Sequence, residues 1–253
     1  MSNLLQGKSI LVAGAGGLLG AQLTKKIIAE GGHVIAGDYS LDATKQKFEE
    51  LGINNSFELY PLNITQPESV KNIMAISNKI DGAVNCTYPR NKTYGAHFFD
   101  VTLESFNENI SLHLGSSFLF SQQCAAYFKI HKREFSLVNI SSIYGVVVPN
   151  FDIYTNTKMT MPVEYAAIKS ALLHLNKYIV SYINNSLFRI NSVSPGGIFD
   201  HQPDAFLAAY KKETHGAGML DVQDILGSII FLLSEQAKYV TGQNIIVDDG
   251  FSL

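Results

Sequence analysis

The sequence predicts an α/β fold, a doubly wound parallel sheet of about seven strands with helices on both faces, formed as one domain across residues 1–253. Three observations predict it. Short apolar runs alternate with helical periodicities along the whole chain, the pattern of successive βαβ units. The first strand-to-helix junction is rich in glycine. With 253 residues, 46% of them hydrophobic, the chain can bury one large core.

The first element is Lys8-Ser9-Ile10-Leu11-Val12-Ala13, an apolar, partly β-branched run that reads as a buried strand. It enters Gly14-Ala15-Gly16-Gly17-Leu18-Leu19-Gly20 and then a helical pattern from Ala21 to Ile28. Strand, glycine turn and helix together form the context of a dinucleotide site. The glycines let the backbone approach a pyrophosphate, and the free N–H groups at the helix start attract its charge. An ordinary βα turn needs one glycine. Four here make Gly14, Gly17, Leu18 and Leu19 candidate cofactor contacts.

A second strand, His33 to Gly37, ends at Asp38, 18 residues after Gly20. A carboxylate at that tip accepts hydrogen bonds from the adenosine ribose hydroxyls and repels a 2′-phosphate, which favours NAD over NADP. No Arg or Lys follows before Lys45. Asp38 is also placed to cap the next helix, the lesser of the two readings. Further strands are predicted near 56–60, 82–86, 135–141, 187–193 and 244–247, and helices near 42–51, 67–79, 102–130, 164–184 and 221–234. Stretches 87–100 and 143–163 carry no regular pattern, and 197–219 reads at best as a broken helix. All three follow predicted strands, so they gather at the carboxyl edge of the sheet, where such folds bind ligands.

Helix 164–184 carries Tyr165 and Lys169, four residues apart and therefore on one face. An ammonium so placed favours the phenolate and lowers the Tyr pKa toward working pH, preparing it to exchange a proton with a substrate oxygen. The same spacing occurs on any amphipathic helix with a lysine stem lying along its apolar side.

Composition narrows the function. A net charge of −3 gives no electrostatic reason to expect nucleic acid or an anionic membrane. No segment is long and apolar enough to cross a bilayer, and the start of the chain does not read as a signal peptide. Cys86 and Cys124 are too few for a disulfide framework and lack metal-ligand spacing, so no metal is expected. A cytoplasmic enzyme is the expectation.

Further motifs complete a pattern: Asn139-Ile140-Ser141-Ser142-Ile143-Tyr144-Gly145, Phe106-Asn107-Glu108-Asn109, Ser194-Pro195-Gly196-Gly197-Ile198, and Val240-Thr241-Gly242-Gln243 with Val247-Asp248-Asp249-Gly250. In this order they resemble the short-chain dehydrogenase/reductase family, of Rossmann-type fold, over nearly the whole chain. The resemblance implies a tetrad of Asn109, Ser142, Tyr165 and Lys169. In it Ser142 holds the substrate oxygen, Tyr165 transfers the proton, Lys169 binds the nicotinamide ribose, and Asn109 holds a relay water. It also implies cofactor contacts at Asn63, Ile64, Asn85, Cys86, Pro195, Gly196 and Ile198, besides Tyr165 and Lys169.

The departures from the family pattern are informative. Ala13 stands where the short branch carries threonine and Leu18 where it carries a glycine, while Asn63 replaces a common Asp. Asn85-Cys86-Thr87-Tyr88 stands in place of Asn-Asn-Ala-Gly, so a bulky Tyr88 reshapes the pocket floor, and Cys86 reads as a strand residue rather than a nucleophile. Ser142 and Tyr165 lie 23 residues apart, longer than the family's usual spacing. The extra segment, Val148 to Met159, is expected to face the substrate, although loops also tolerate inert insertions. Tyr88, Arg90, Lys92, Tyr144 and Lys158 are the candidate substrate residues. The three cations suggest a small, anionic, polyhydroxylated molecule.

The stretches Asn85 to Lys92 and Asn109 to Leu114 resemble, more narrowly, oxidoreductases associated with bacterial flagellin glycosylation and nonulosonate-type sugar pathways. That implies a sugar phosphate or nucleotide sugar as substrate. His113, one turn after Asn109, is expected at a core or interface position. The apolar faces of helices 102–130 and 164–184 imply a homodimer or homotetramer. Two other readings stay open: an NADPH-dependent reductase of ketone or 3-oxoacyl substrates, and a dinucleotide-binding regulator without turnover.

Overall fold

The computed structural model describes residues 3–155 and 157–253; Met1, Ser2 and Asn156 of the long segment before Tyr165 lie outside the described residues. Strands β1 (Ser9–Ala13), β2 (His33–Asp38), β3 (Phe57–Pro61), β4 (Gly82–Asn85), β5 (Phe135–Ile140), β6 (Phe188–Pro195) and β7 (Asn244–Val247) form one sheet. Its order is β3-β2-β1-β4-β5-β6-β7, and every neighbouring pair is parallel. Strand order reverses between β1 and β4, so the ligand crevice belongs at the carboxyl ends of these two strands.

Parallel strands covered on both faces are apolar throughout, and β6 is buried at all eight positions. Side chains alternate between the faces. Ile10 and Val12 pack with Leu23, Ile27, Ile229 and Ile230, from helices α1 (Leu18–Ala29) and α8 (Val222–Leu233). Leu11 and Ile35 pack on the other face with Ile73 of α3 (Pro67–Ala75), Phe120 and Phe128 of α5 (Ser116–His131) and Ile179 of α6 (Val163–Ile183). The remaining helices are α2 (Leu41–Glu50), α4 (Leu103–Asn109) and α7 (Asp204–Lys212).

The structure corrects the expected elements where loops meet helices. The predicted helix 102–130 is α4, a π-helical segment over Ile110–Gly115, and α5. Its apolar periodicity runs through all three parts, so the change of hydrogen-bond pattern is invisible in sequence. Stretch 197–219 contains α7, and 143–163 contains two 3₁₀ turns, Ile143–Gly145 and Phe151–Tyr154. Among the described residues no helix is long and apolar enough to cross a membrane. Nor does any group of three or more His, Cys, Asp or Glu among them stand ready to hold a metal.

Candidate active site

A cavity of ≈ 1360 Å³ runs along the carboxyl edge of the sheet, from the glycine turn after β1 to the start of α6. Gly14, Gly17, Leu18 and Leu19 line one end. Gly14 has φ +80°, and a Cβ on Gly20 would lie 2.0 Å from the Gly14 carbonyl oxygen. Only glycine at these two positions lets α1 close onto the turn. Gly17 precedes α1 without a side-chain cap, so the first N–H groups of the helix stay free for a ligand.

Asp38, at the end of β2, lines the same end. Its Oδ2 accepts the Gly16 N–H at 2.8 Å and its Oδ1 the Ser40 N–H at 3.0 Å. These bonds pin the carboxylate beside the glycine turn, while Ser40, not Asp38, occupies the cap position of α2. Asn63 and Ile64 line the cavity after β3, with the Asn63 Oδ1 accepting from the N–H and hydroxyl of Thr65. Glycine turn, free helix start and ordered carboxylate fit the pyrophosphate and ribose of a dinucleotide.

At the opposite end, Ser142, Tyr165 and Lys169 form the floor. Ser142 follows β5, and its Oγ accepts the Tyr144 N–H at 3.2 Å and hydrogen-bonds the Tyr165 hydroxyl. A Cβ on Gly145 would lie 2.7 Å from the Lys169 backbone, so glycine lets the serine turn press against α6. Ser141 Oγ adds a bond to the Lys169 carbonyl at 3.0 Å. Lys169 is 4% exposed; its Nζ donates to the Ile140 carbonyl at 2.8 Å and stands 3.4 Å from His113 Nε2. Pro195, Gly196 and Ile198 line the cavity beyond this floor, with the Gly196 N–H donating to Val247 O at 2.8 Å.

The electrostatics differ from expectation. Burial pushes the Lys169 ammonium down to about 7, partly opposed by Cys86. Burial raises the Tyr165 phenol above its ordinary value, and the Ser142 hydrogen bond only offsets this. Burial, not the lysine, sets the direction at Tyr165, although the Lys169 Nζ lies 5.4 Å from the Tyr165 ring centre.

Asn109 is placed beside this floor but not on its surface. It is fully buried and outside the cavity lining. Its Oδ1 accepts the Asn91 N–H at 3.0 Å. Its Nδ2 donates to Asn91 Oδ1 at 3.1 Å, Ser105 O at 3.1 Å and Glu164 Oε1 at 3.2 Å. Through these bonds the amide anchors the loop after β4. Asn85 is likewise buried and off the lining, its side chain held by Thr87 and Ser117, because its strand position turns it toward α5. Cys86 does line the cavity, with burial lifting its thiol to about 12.

The loop after β4 forms a wall. The hydroxyls of Tyr88 and Tyr94 are 2.5 Å apart, and the Tyr88 ring stands edge-on to Tyr165, 5.7 Å between centres, and to His113, 5.0 Å. The Arg90 guanidinium lies 4.9 Å from the Tyr88 ring centre, within cation–π range, and lines the cavity. Lys92 and Lys158 are exposed and outside the lining.

Tyr144 lines the substrate side, its hydroxyl 3.3 Å from that of Tyr154. The lining there continues with Tyr154, Met159, Met161, Phe206, Tyr210 and Met219. Apart from the segment bearing Tyr154 and Met159, these residues escape sequence reasoning. Phe206 and Tyr210, one turn apart on α7, are the detectable signal.

Comparison with known proteins agrees with this geometry. A family model described as enoyl-(acyl carrier protein) reductase matches residues 14–252. Post-translational flagellin modification protein A of Campylobacter coli is 38% identical, over 99% of this chain and 100% of that protein. 7alpha-hydroxysteroid dehydrogenase of Bacteroides fragilis is 28% identical, over 99% of this chain and 96% of that one. The crystal structure of a short chain dehydrogenase from Leptospira borgpetersenii serovar Hardjo-bovis, with bound NAD+, superposes with a TM-score of 0.87. It is 30% identical, over 99% of this chain and 95% of that one.

Proposed function

The chain belongs to the short-chain dehydrogenase/reductase family, and on that premise we propose an NAD-dependent oxidoreductase acting on a secondary alcohol or ketone of a phosphorylated or nucleotide-linked sugar. One observation carries the reaction type: Ser142, Tyr165 and Lys169 meet on the floor of the cavity whose other end is the glycine turn and Asp38. Bound there, the dinucleotide supplies the carbon that gives or takes hydride.

The chain's own residues handle the proton. Ser142 Oγ orients the substrate oxygen against the Tyr165 hydroxyl. In reduction the buried phenol donates its proton to the carbonyl oxygen; in oxidation Tyr165 takes the proton back from the alcohol. Lys169, pushed down to about 7, exchanges a proton close to neutral pH. Tyr88 and the methionines line the substrate side of the cavity.

Asp38 supports the preference for NAD, since a fixed carboxylate repels a 2′-phosphate. Comparing kcat/KM for NAD and NADP tests it; equal values would remove the preference, and higher values for NADP would favour an NADPH-linked reductase. Arg90 stacked on Tyr88, together with the name of the Campylobacter coli relative, supports the anionic sugar. A screen of sugar phosphates and nucleotide sugars for NADH formation tests that part. The apolar lining by Met159, Met161, Phe206 and Met219 favours a second reading, an apolar ring ketone or alcohol, which the same screen separates with steroid alcohols. NAD binding without turnover of any of them would instead favour a regulator.

Exposed Phe118, Tyr178 and Tyr182 on α5 and α6 support a homodimer or homotetramer through that face. Sedimentation as a monomer would exclude it. A cytoplasmic location fits the two unpaired thiols, Cys86 and Cys124.

A further inference from the structure

We propose that His113, rather than Asn109, is the positioning residue of Lys169, its neutral imidazole accepting a hydrogen bond from the ammonium through Nε2. The inference rests on Lys169 belonging to the proton-handling centre. An ammonium on a buried helix position needs acceptors. Those facing Nζ are the Ile140 carbonyl at 2.8 Å and His113 Nε2 at 3.4 Å. Asn109, the residue the family pattern offers, makes no bond to Nζ: its Oδ1 accepts the Asn91 N–H, and its Nδ2 donates to Asn91, Ser105 and Glu164.

The π-helical segment Ile110–Gly115 places the imidazole there, and His113 is the buried residue of that segment. Single π turns inside helices recur at functional sites because they redirect one side chain. The ring is clamped edge-on by Tyr88.

The protonation states agree. The groups facing the pair are Cys86, Tyr88 and Arg90 from the strand β4 end and its loop, and Tyr165 from α6. Desolvation, then Lys169, then Arg90 hold His113 far below its usual value, so it is neutral at any physiological pH. A lone pair on Nε2 puts the ring proton on Nδ1, which is buried without a partner.

The test needs no substrate. Competitive acetylation by acetic anhydride across a pH series, read by mass spectrometry of the peptide bearing Lys169, gives the titration of that amine. Loss of an acceptor disfavours the ammonium, so His113→Leu is expected to lower the Lys169 midpoint by about one unit. His113→Gln, which restores an acceptor, returns it toward the wild-type value. A purely structural role would leave the titration of both variants unchanged, and that result overturns the proposal. Should His113→Leu not fold, ¹⁵N-histidine spectra of the wild-type protein decide instead. One histidine must stay neutral with its proton on Nδ1 across roughly pH 5 to 8. If every neutral histidine carries its proton on Nε2, the proposal is wrong. Neither readout depends on the sugar screen, so the two readings fail separately.

Discussion

Ser142, Tyr165 and Lys169 stand on a strand end and a 21-residue helix, whereas Tyr88, Arg90 and Tyr94 stand on a loop between β4 and Phe98 that has no regular structure. The two groups touch, with Tyr88 and Tyr165 ring centres 5.7 Å apart. The floor is held by repeated backbone geometry: the register of β5, the close approach at Gly145 and the i, i+4 spacing of α6. The wall is held by side chains, above all Asn109 bonded to Asn91. On the proposed function, chemistry resides on elements that few substitutions can move, and selectivity on a loop whose conformation hangs on a few polar contacts.

The largest effect should come from the floor. Tyr165→Phe removes the proton-transferring hydroxyl and keeps the ring, so kcat should fall by about 10²–10⁴. Calorimetry should still show the wild-type affinity for NAD. If Tyr88→Ala depressed kcat as far with KM unchanged, the division between floor and wall would be broken. At the other end of the cavity, Asp38→Ala should lower the NAD-to-NADP ratio of kcat/KM by about tenfold, equivalent to 1.4 kcal/mol. An unchanged ratio would mean that Asp38 serves only to brace Gly16 and Ser40.

A smaller effect is expected at the anchor of the wall. Asn109→Ala leaves the Asn91 backbone N–H and Glu164 Oε1 without the partner Asn109 gives them and should destabilise the fold by about 1–3 kcal/mol, read as a lower midpoint in urea. Because Lys169 does not contact Asn109, its acetylation titration should stay at the wild-type position. A shift there would return Asn109 to the relay role that the family resemblance gives it.

How much could be read beforehand follows the same division. Gly14, Gly20 and Asp38 were legible because their chemistry is local: a turn, a close approach and a strand tip lie within one βαβ unit. The seven strands were legible because buried parallel strands are apolar and the helices between them are periodic. The anchoring bonds of Asn109 were not legible, since two of their partners lie 18 and 55 positions away. The raised phenol of Tyr165 was missed because the i, i+4 rule carries the lysine's charge but not the burial that outweighs it. The π segment escaped because its residues keep the apolar rhythm of a helix.

The smallest effects should separate the cations that sequence alone grouped together. Arg90 lines the cavity, its guanidinium ordered over Tyr88, while Lys92 and Lys158 are solvated outside it. A charge-assisted bond to an anionic substrate group is worth about 1.5–3 kcal/mol. Arg90→Ala should then raise KM for an accepted sugar phosphate by about tenfold or more, with kcat little changed. Lys92→Ala and Lys158→Ala should each change KM by less than about twofold at physiological salt, because exposed charges outside the contact are screened. Added salt should shrink even that difference. If either lysine variant raised KM as much as Arg90→Ala, the loop bearing it would have to close over the substrate, and the wall would be a moving element rather than a fixed one.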